Sequence, residues 1–150
     1  MTDDSVTIER MQPEHLPDVV RIEQASYPDP WSHASFSKEL TSSPASFVMV
    51  ARRSDMVVGY VVAWFVLDEA HIGNVAVAPE VRRQGIGRMM MEWLQEQAIE
   101  HGCTYSSLEV RESNTAARQL YIHLGYRPVG RREQYYRNPR EDAIVMVKTI

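Results

Sequence analysis

Cysteine is nearly absent: the 150-residue chain holds one, Cys103. That excludes an internal disulfide and any zinc site built on several thiolates, and it fits a reducing compartment. Cys103 reads as a small core residue, with a nucleophile as the competing reading. The five histidines, His15, His33, His71, His101 and His123, show no ligand spacing such as H-E-x-x-H, so no metal is expected. No run approaches the ~18 apolar residues of a membrane span, and "MTDDSVTIER" holds no apolar stretch of signal-peptide length. The expectation is a cytoplasmic protein without membrane contact. An excess of positive charge is also lacking, with 16 Lys and Arg against 20 Asp and Glu, a formal charge of −4. Generic binding to nucleic acid, which relies on a basic surface, is therefore not expected, and a cationic substrate suits the chain better. No repeat, low-complexity tract or linker interrupts the sequence. One domain over residues 1–150 follows, large enough to bury a core without staples.

What is present reads as alternating strands and helices. "SVTIER" alternates like a first strand, and Leu16, Val19, Val20 and Ile22 then recur near helical spacing. "PDPW" breaks that helix, Ser32 caps a second short one through about Leu40, and "TSSPAS" ends it. "FVMVAR" and the long apolar "MVVGYVVAWFVL" form a hairpin about "RSD", and "HIGNVAV" follows a turn at Asp68 and Glu69 as a third consecutive strand. Gly73 within it marks a bulge or a close backbone approach. Gly87 to His101 reads as an amphipathic helix burying Met90, Trp93, Leu94 and Ala98, ended by Gly102. "TYSSLEV" is a strand, Asn114 to Leu124 a helix, and "YRPVG" and "AIVMVK" a closing pair. The class is α/β with a mixed sheet.

Between the third strand and the long helix stands "RRQGIGR". Gly85 and Gly87 remove side chains where the backbone turns, and the helix that begins there presents unpaired N–H groups, an anion site. Arg82, Arg83 and Arg88 add positive charge of a kind suited to phosphate oxygens, so a pyrophosphate is the natural guest. A nucleotide P-loop would need a lysine followed by serine or threonine, and a dinucleotide fingerprint would need a third glycine where Met90 stands. The alternative is a plain strand-to-helix turn.

The loop R-x-x-G-x-G from Arg82 to Gly87, following "NVAV", resembles the coenzyme A loop of the GCN5-related N-acetyltransferase (GNAT) superfamily. The order of elements and "SNTAARQLYIHLGY" are similar to that family as well, so the likeness spans nearly the whole chain. Within it, "YPDPWS", "LDEAHIGNVAV", "LEVRESNTAARQLYIHLGY" and "QYYRNPREDAIVM" resemble the RimI-type ribosomal-protein-alanine N-acetyltransferases. The resemblance implies a mixed sheet of about seven strands, splayed between the fourth and fifth and flanked by about four helices. It implies acetyl coenzyme A as co-substrate, bound by Arg82, Arg83, Gln84, Gly85, Ile86, Gly87 and Arg88, by the backbone of Val75, Ala76 and Val77, and by Asn114. It also implies direct acetylation of a protein's α-amino group, with the N-terminal alanine of ribosomal protein bS18 as the family substrate.

Such a transfer needs a neutral amine and a proton for the departing thiolate. The resemblance makes Glu109, near the end of "SLEV", the general base, with a surface carboxylate as the rival reading. An α-amino group has a pKa of roughly 7.7 to 8.0 against about 10.4 for lysine, so deprotonating it costs about 3 to 4 kcal/mol less. Since an ordinary glutamate near 4.3 is a poor acceptor, Glu109 is expected to have a raised pKa or to work through a water. Asn114 and Tyr121 lie two helical turns apart and so on about the same face. By resemblance Tyr121 is the general acid, against a buried core tyrosine, and Asn114 a cofactor ligand, against a helix N-cap. "PDPW" and "EQYYRNPRED" correspond to the two loops that border the peptide entrance in related enzymes. They offer Trp31, Tyr135 and Tyr136 as walls of a slot for a chain end, or as closures of the core. A monomer is favoured. The rival functions are an acetyltransferase for other N-termini or small amines, and a silent acyl coenzyme A sensor.

Overall fold

The computed structural model describes residues 5–41 and 44–150. Its strands are β1 (Val6–Arg10), β2 (Ser46–Arg53), β3 (Met56–Val66), β4 (Glu69–Val77), β5 (Tyr105–Arg111), β6 (Arg127–Arg137) and β7 (Arg140–Thr149). Its helices are α1 (Leu16–Ser26), α2 (His33–Thr41), α3 (Ile86–Glu100) and α4 (Thr115–His123). Seven strands form one sheet in the order β1-β2-β3-β4-β5-β7-β6, antiparallel throughout except for β4 beside β5. That parallel pair needs a crossover, and α3 supplies it.

Residues of alternate parity on the central strands bury against different helices. Val48, Val50, Tyr60 and Val62 pack with Leu16, Val19 and Ile22 of α1 and Phe36 of α2. Met49, Val61 and Ala63, on the opposite face, pack with Met91 and Leu94 of α3 and Tyr121 of α4. A strand covered on both sides must be apolar throughout, which is why "VVGYVVA" shows no alternation. Met90, Leu94 and Ala98 of the expected α3 stripe are buried, and Trp93 is partly buried, tilted against Phe47 at 5.5 Å. Cys103 lies in the core with Ala70 and Ala98.

The expected boundaries shift in three places. Ser32 does cap α2, its Oγ accepting from Ser35 N at 3.1 Å, but part of the "TSSPAS" stop lies outside the described residues. β4 begins at Glu69, because the chain already reverses at Leu67 with a left-handed φ of 55°. α3 begins at Ile86, capped by Gly85 in the left-handed region at φ 82°. The largest departure is the last hairpin: "EQYYRNPRED" is not a loop, since β6 continues to Arg137 and the turn is confined to Asn138 and Pro139. β6 is an edge strand, exposed along almost its whole length and interrupted by register shifts, so it shows no apolar alternation for sequence reading to detect.

Candidate functional site

The site begins where β4 and β5 part. Their pairing runs from Glu69↔Tyr105 to Ile72↔Leu108 and stops there. Beyond it β4 stays with β3 and β5 stays with β7, so the two strands open a gap. Gly73 sits at the fork: the β3–β4 register passes from Ala63↔Ile72 to Val62↔Asn74 and leaves it as a bulge.

Strand parity decides what faces the gap. Ala78 N bonds Val58 O at 2.8 Å, which turns the even residues of β4 beyond the bulge toward β3. The backbone of Ala76 therefore faces β3, paired with Tyr60. Val75 and Val77 turn the other way. The Val75 carbonyl accepts a short bond from Tyr27 Oη, and the Val77 carbonyl accepts from Arg82 Nε at 3.1 Å. Their amides remain for a ligand strand.

The glycine loop lies at the far end of the gap. By helix geometry the amides ahead of Met89 have no carbonyl behind them; Met89 N is bonded to Gly85 O at 3.0 Å. A Cβ built on Gly85 would meet nothing within 4 Å, so this turn borders open space where an anion can reach the backbone. The arginines divide. Arg82 is spent on Val77 O and Ser26 Oγ, and Arg88 on Glu92 at 2.6 Å, whereas Arg83 makes no ion pair among the described residues. Gln84 accepts from Arg53 at 2.9 Å, and the Ile86 side chain is buried in the core, leaving only its amide for the loop.

A cleft of roughly 580 Å³ gathers Glu109, Asn114, Tyr121, Trp31, Tyr135 and Tyr136. Glu109 is held on both oxygens, with Oε2 at 2.7 Å from His71 Nε2 and Oε1 at 3.2 Å from Arg132 Nε. Of the two expectations for Glu109, the structure goes against a raised pKa and leaves work through a water open. The His71 hydrogen bond, outweighing partial burial, holds the Glu109 carboxyl below its ordinary value, and the same bond raises His71. Tyr121 is buried, edge-on to Tyr126 at 5.9 Å, and burial pushes its hydroxyl far above the usual phenol range. Asn114 caps α4, its Oδ1 accepting from Ala117 N at 3.2 Å, so the N-cap reading holds and its amide nitrogen is what can meet a ligand.

The aromatic walls are anchored from behind. Trp31 N donates to Glu23 Oε2 at 2.9 Å, and Glu23, almost fully buried, also accepts from Tyr60 Oη and from Asn74 Nδ2. Burial raises the Glu23 pKa, while these three donors oppose the shift. Tyr136 lies on β6 with its ring 4.3 Å beneath the Arg111 guanidinium, and burial pushes its hydroxyl up to about 12. Arg111 in turn reaches Pro139 O at 2.9 Å, Asn138 O at 3.3 Å and Glu141 at 3.2 Å. Tyr135 stands edge-on to Tyr136 at 5.1 Å and is half exposed.

Sequence reasoning missed His71 as a site residue. Its only signal was parity: it shares a face with Glu109 once β4 and β5 are set in register, and no pattern within either strand reports that register. Among the described residues, no cluster of metal-binding side chains is found, and no helix is long and apolar enough to cross a membrane.

Comparison with known proteins places this geometry. A family model described as acetyltransferase (GNAT) family matches residues 16–126. The [ribosomal protein bS18]-alanine N-acetyltransferase of Escherichia coli K12 is 35% identical over 146 residues, 96% of this chain and 97% of that protein. The crystal structure of the ribosomal-protein-S18-alanine N-acetyltransferase from Escherichia coli superposes with a TM-score of 0.87 at 34% identity, covering 97% of this chain and 94% of that one. Ard1 from Thermoplasma volcanium superposes at 0.89 with 26% identity, covering 97% of each chain.

Proposed function

The chain belongs to the acetyltransferase (GNAT) family, and from that we propose that it transfers an acetyl group from acetyl coenzyme A directly to the α-amino group of a protein N-terminal alanine, that of ribosomal protein bS18. The substrate is inferred from the near-full-length likeness to the Escherichia coli enzyme of that name. The reaction rests on one observation: a single strand gap holds an ion-paired carboxylate and imidazole together with a buried phenol.

The residues present fit the co-substrate. The open turn at Gly85, the first amides of α3 and Arg83, which has no ion pair among the described residues, suit a pyrophosphate, and the Val75 and Val77 amides suit an extended arm lying in the gap as an added strand. Acetyl coenzyme A supplies the activated thioester. The chain does the rest. As the amine nitrogen bonds to the acetyl carbon and the carbon–sulfur bond breaks, the Glu109–His71 pair takes the amine's proton and the Tyr121 hydroxyl gives one to the sulfur. Burial keeps the Tyr121 phenol protonated, so a proton is available beside the sulfur; the same shift makes it a weak acid, and the charge on the departing thiolate is what draws the proton across. Cys103, buried at the foot of the sheet, takes no covalent part.

Trp31, Tyr135 and Tyr136 wall the slot for the chain end. The enzyme acts in the cytoplasm as a monomer, with neither metal nor nucleic acid. The test is a pair of peptides carrying the bS18 amino-terminal sequence, one with a free α-amine and one with that amine blocked and an internal lysine. Mass spectrometry is expected to find the acetyl group on the α-amine of the first, with the second reacting far more slowly. Fast acetylation of the blocked peptide would overturn the N-terminal reading.

A further inference from the structure

We propose that Trp64 sets the size of the first residue the enzyme accepts, by filling the space that a side chain at position 73 would otherwise occupy. The inference rests on the N-terminal reading above and concerns the selectivity of the same cleft.

Trp64 and His71 are directly opposed across β3 and β4, so their side chains leave the sheet on one face. The bulge at Gly73 lets the indole lie down along β4. A Cβ on Gly73 would stand 2.2 Å from both Cη2 and Cζ3 of the Trp64 ring, far inside any real contact. The glycine is therefore what admits the indole, and the indole is what covers the glycine. The ring is fixed on three sides. Its Nε1 donates to Glu39 Oε2 of α2 at 3.0 Å, and the same carboxylate oxygen is held by Ser46 Oγ at 2.8 Å. One neighbour is the His71 ring, stacked at 5.7 Å and 30°; the other is Trp31, stacked at 6.4 Å and 28°. A side chain so held presents a firm wall to the cleft, which it lines together with Gly73, His71 and Glu109.

An amine within hydrogen-bond reach of the His71–Glu109 pair brings its own Cα about 1.5 Å further on. The first side chain then starts a few ångströms from His71, and the surface stacked on His71 is Trp64. A methyl or hydroxymethyl group can stand there. A long or branched apolar side chain needs the volume the indole fills, so small first residues are favoured and leucine, methionine and phenylalanine are refused. A misfit of one methylene in such a pocket is typically worth about 10- to 200-fold in kcat/KM.

The test uses the full chain and peptides that differ only in their first residue: alanine, serine, leucine or methionine. The unmodified protein is expected to prefer alanine over leucine by at least about tenfold in kcat/KM. Trp64→Ala should raise the leucine-to-alanine ratio by about tenfold or more, with acetyl coenzyme A affinity retained. Adding Gly73→Phe returns an aromatic ring to the same space from the neighbouring strand and should restore the preference for alanine. A Trp64→Ala protein that binds acetyl coenzyme A normally yet keeps the original ranking overturns the proposal, as does a double variant as permissive as the single one. Should Trp64→Ala fail to fold, Trp64→Leu is read by the same criterion. If the unmodified protein ignores every α-amine but acetylates lysine, it is the N-terminal reading that fails. If alanine peptides react and no Trp64 variant alters the ranking, only the present inference fails.

Discussion

Replacing His71 by alanine and Glu109 by glutamine, separately, tests how the amine loses its proton. Ordinary values put the α-amine at roughly 7.7 to 8.0 and glutamate at about 4.3, so handing the proton straight to Glu109 costs about 5 kcal/mol. The structure makes that worse, since His71 and Arg132 hold the carboxyl below its ordinary value. An ordinary histidine, near 6.5, would take the proton for under about 2 kcal/mol, and the Glu109 hydrogen bond moves His71 closer still to the amine. Because Nε2 lies 2.7 Å from the Glu109 carboxylate, the proposed mechanism has Nε2 donating to Glu109 and Nδ1 accepting the amine's proton, with Glu109 orienting the ring and stabilising the imidazolium.

The two variants should therefore differ in kind. His71→Ala removes the acceptor and is expected to lower kcat on the order of 10²-fold or more. Glu109→Gln keeps the ring but withdraws the charge that raises it, so the rising limb of the kcat–pH profile should move to lower pH. Above both limbs the loss should amount to at most about tenfold for each pH unit by which His71 falls. The assay is the pH dependence of kcat at saturating acetyl coenzyme A and alanine-peptide, with single-turnover measurements confirming that chemistry limits the rate. A His71→Ala enzyme with unchanged rate and limb, beside a Glu109→Gln enzyme inactive at every pH, would refute this division of labour and make Glu109, through a water, the base.

Two further outcomes follow from the same cleft. Tyr121→Phe keeps the ring against Tyr126 and removes only the donor, so turnover should fall ~10²- to 10⁴-fold while calorimetry finds acetyl coenzyme A affinity unchanged; a fall of less than about threefold would make water the donor. Arg111→Met removes a partly buried partner from Glu141, which keeps its bond from Ser113 N, and frees the hairpin tip that carries Tyr136, so urea unfolding should show a loss of about 1 to 3 kcal/mol and steady-state kinetics a larger rise in KM for peptide than for acetyl coenzyme A; equal rises in both would mean that Arg111 serves the fold alone.

The legibility of the fold followed burial. Strands β2, β3 and β4 and helices α1 and α3 announce themselves because each buries a face, and burial is what imposes apolar spacing on a sequence. β6 buries almost nothing, and its residues answer to hydrogen bonding and charge instead: Arg131 bridges Glu112 and Asp142, and Gln134 N donates to Asp142 at 2.8 Å. Such pairs have no periodicity, so Tyr135 and Tyr136 read as loop residues although their place beside the cleft was anticipated. The glycine loop was legible for the opposite reason. A left-handed residue directly ahead of a helix favours glycine, so Gly85 stands out within a run of arginines, although Arg83 two residues earlier also adopts a left-handed φ of 64°.

The chemistry of the cleft was less legible because it depends on pairings between strands distant in sequence. Glu109 could be named, but its charge state is set by His71, 38 positions away across the parallel pair. Trp64 lies in a run so apolar that it reads as core, and nothing within β3 says that its ring crosses to β4. Gly73 was the one residue whose type alone pointed at an exception, as either a bulge or a close approach. It proves to be both, and the two have one cause. The extra residue lies where β4 leaves β5, and its missing side chain lets Trp64 settle against His71 at that fork. A larger residue at position 73 without a smaller one at 64 would displace the indole that His71 stacks on. Sequence positions 64 and 73 should thus be able to exchange volume with each other and not with their neighbours in the chain, which is why neither strand read alone could reveal the wall they form together.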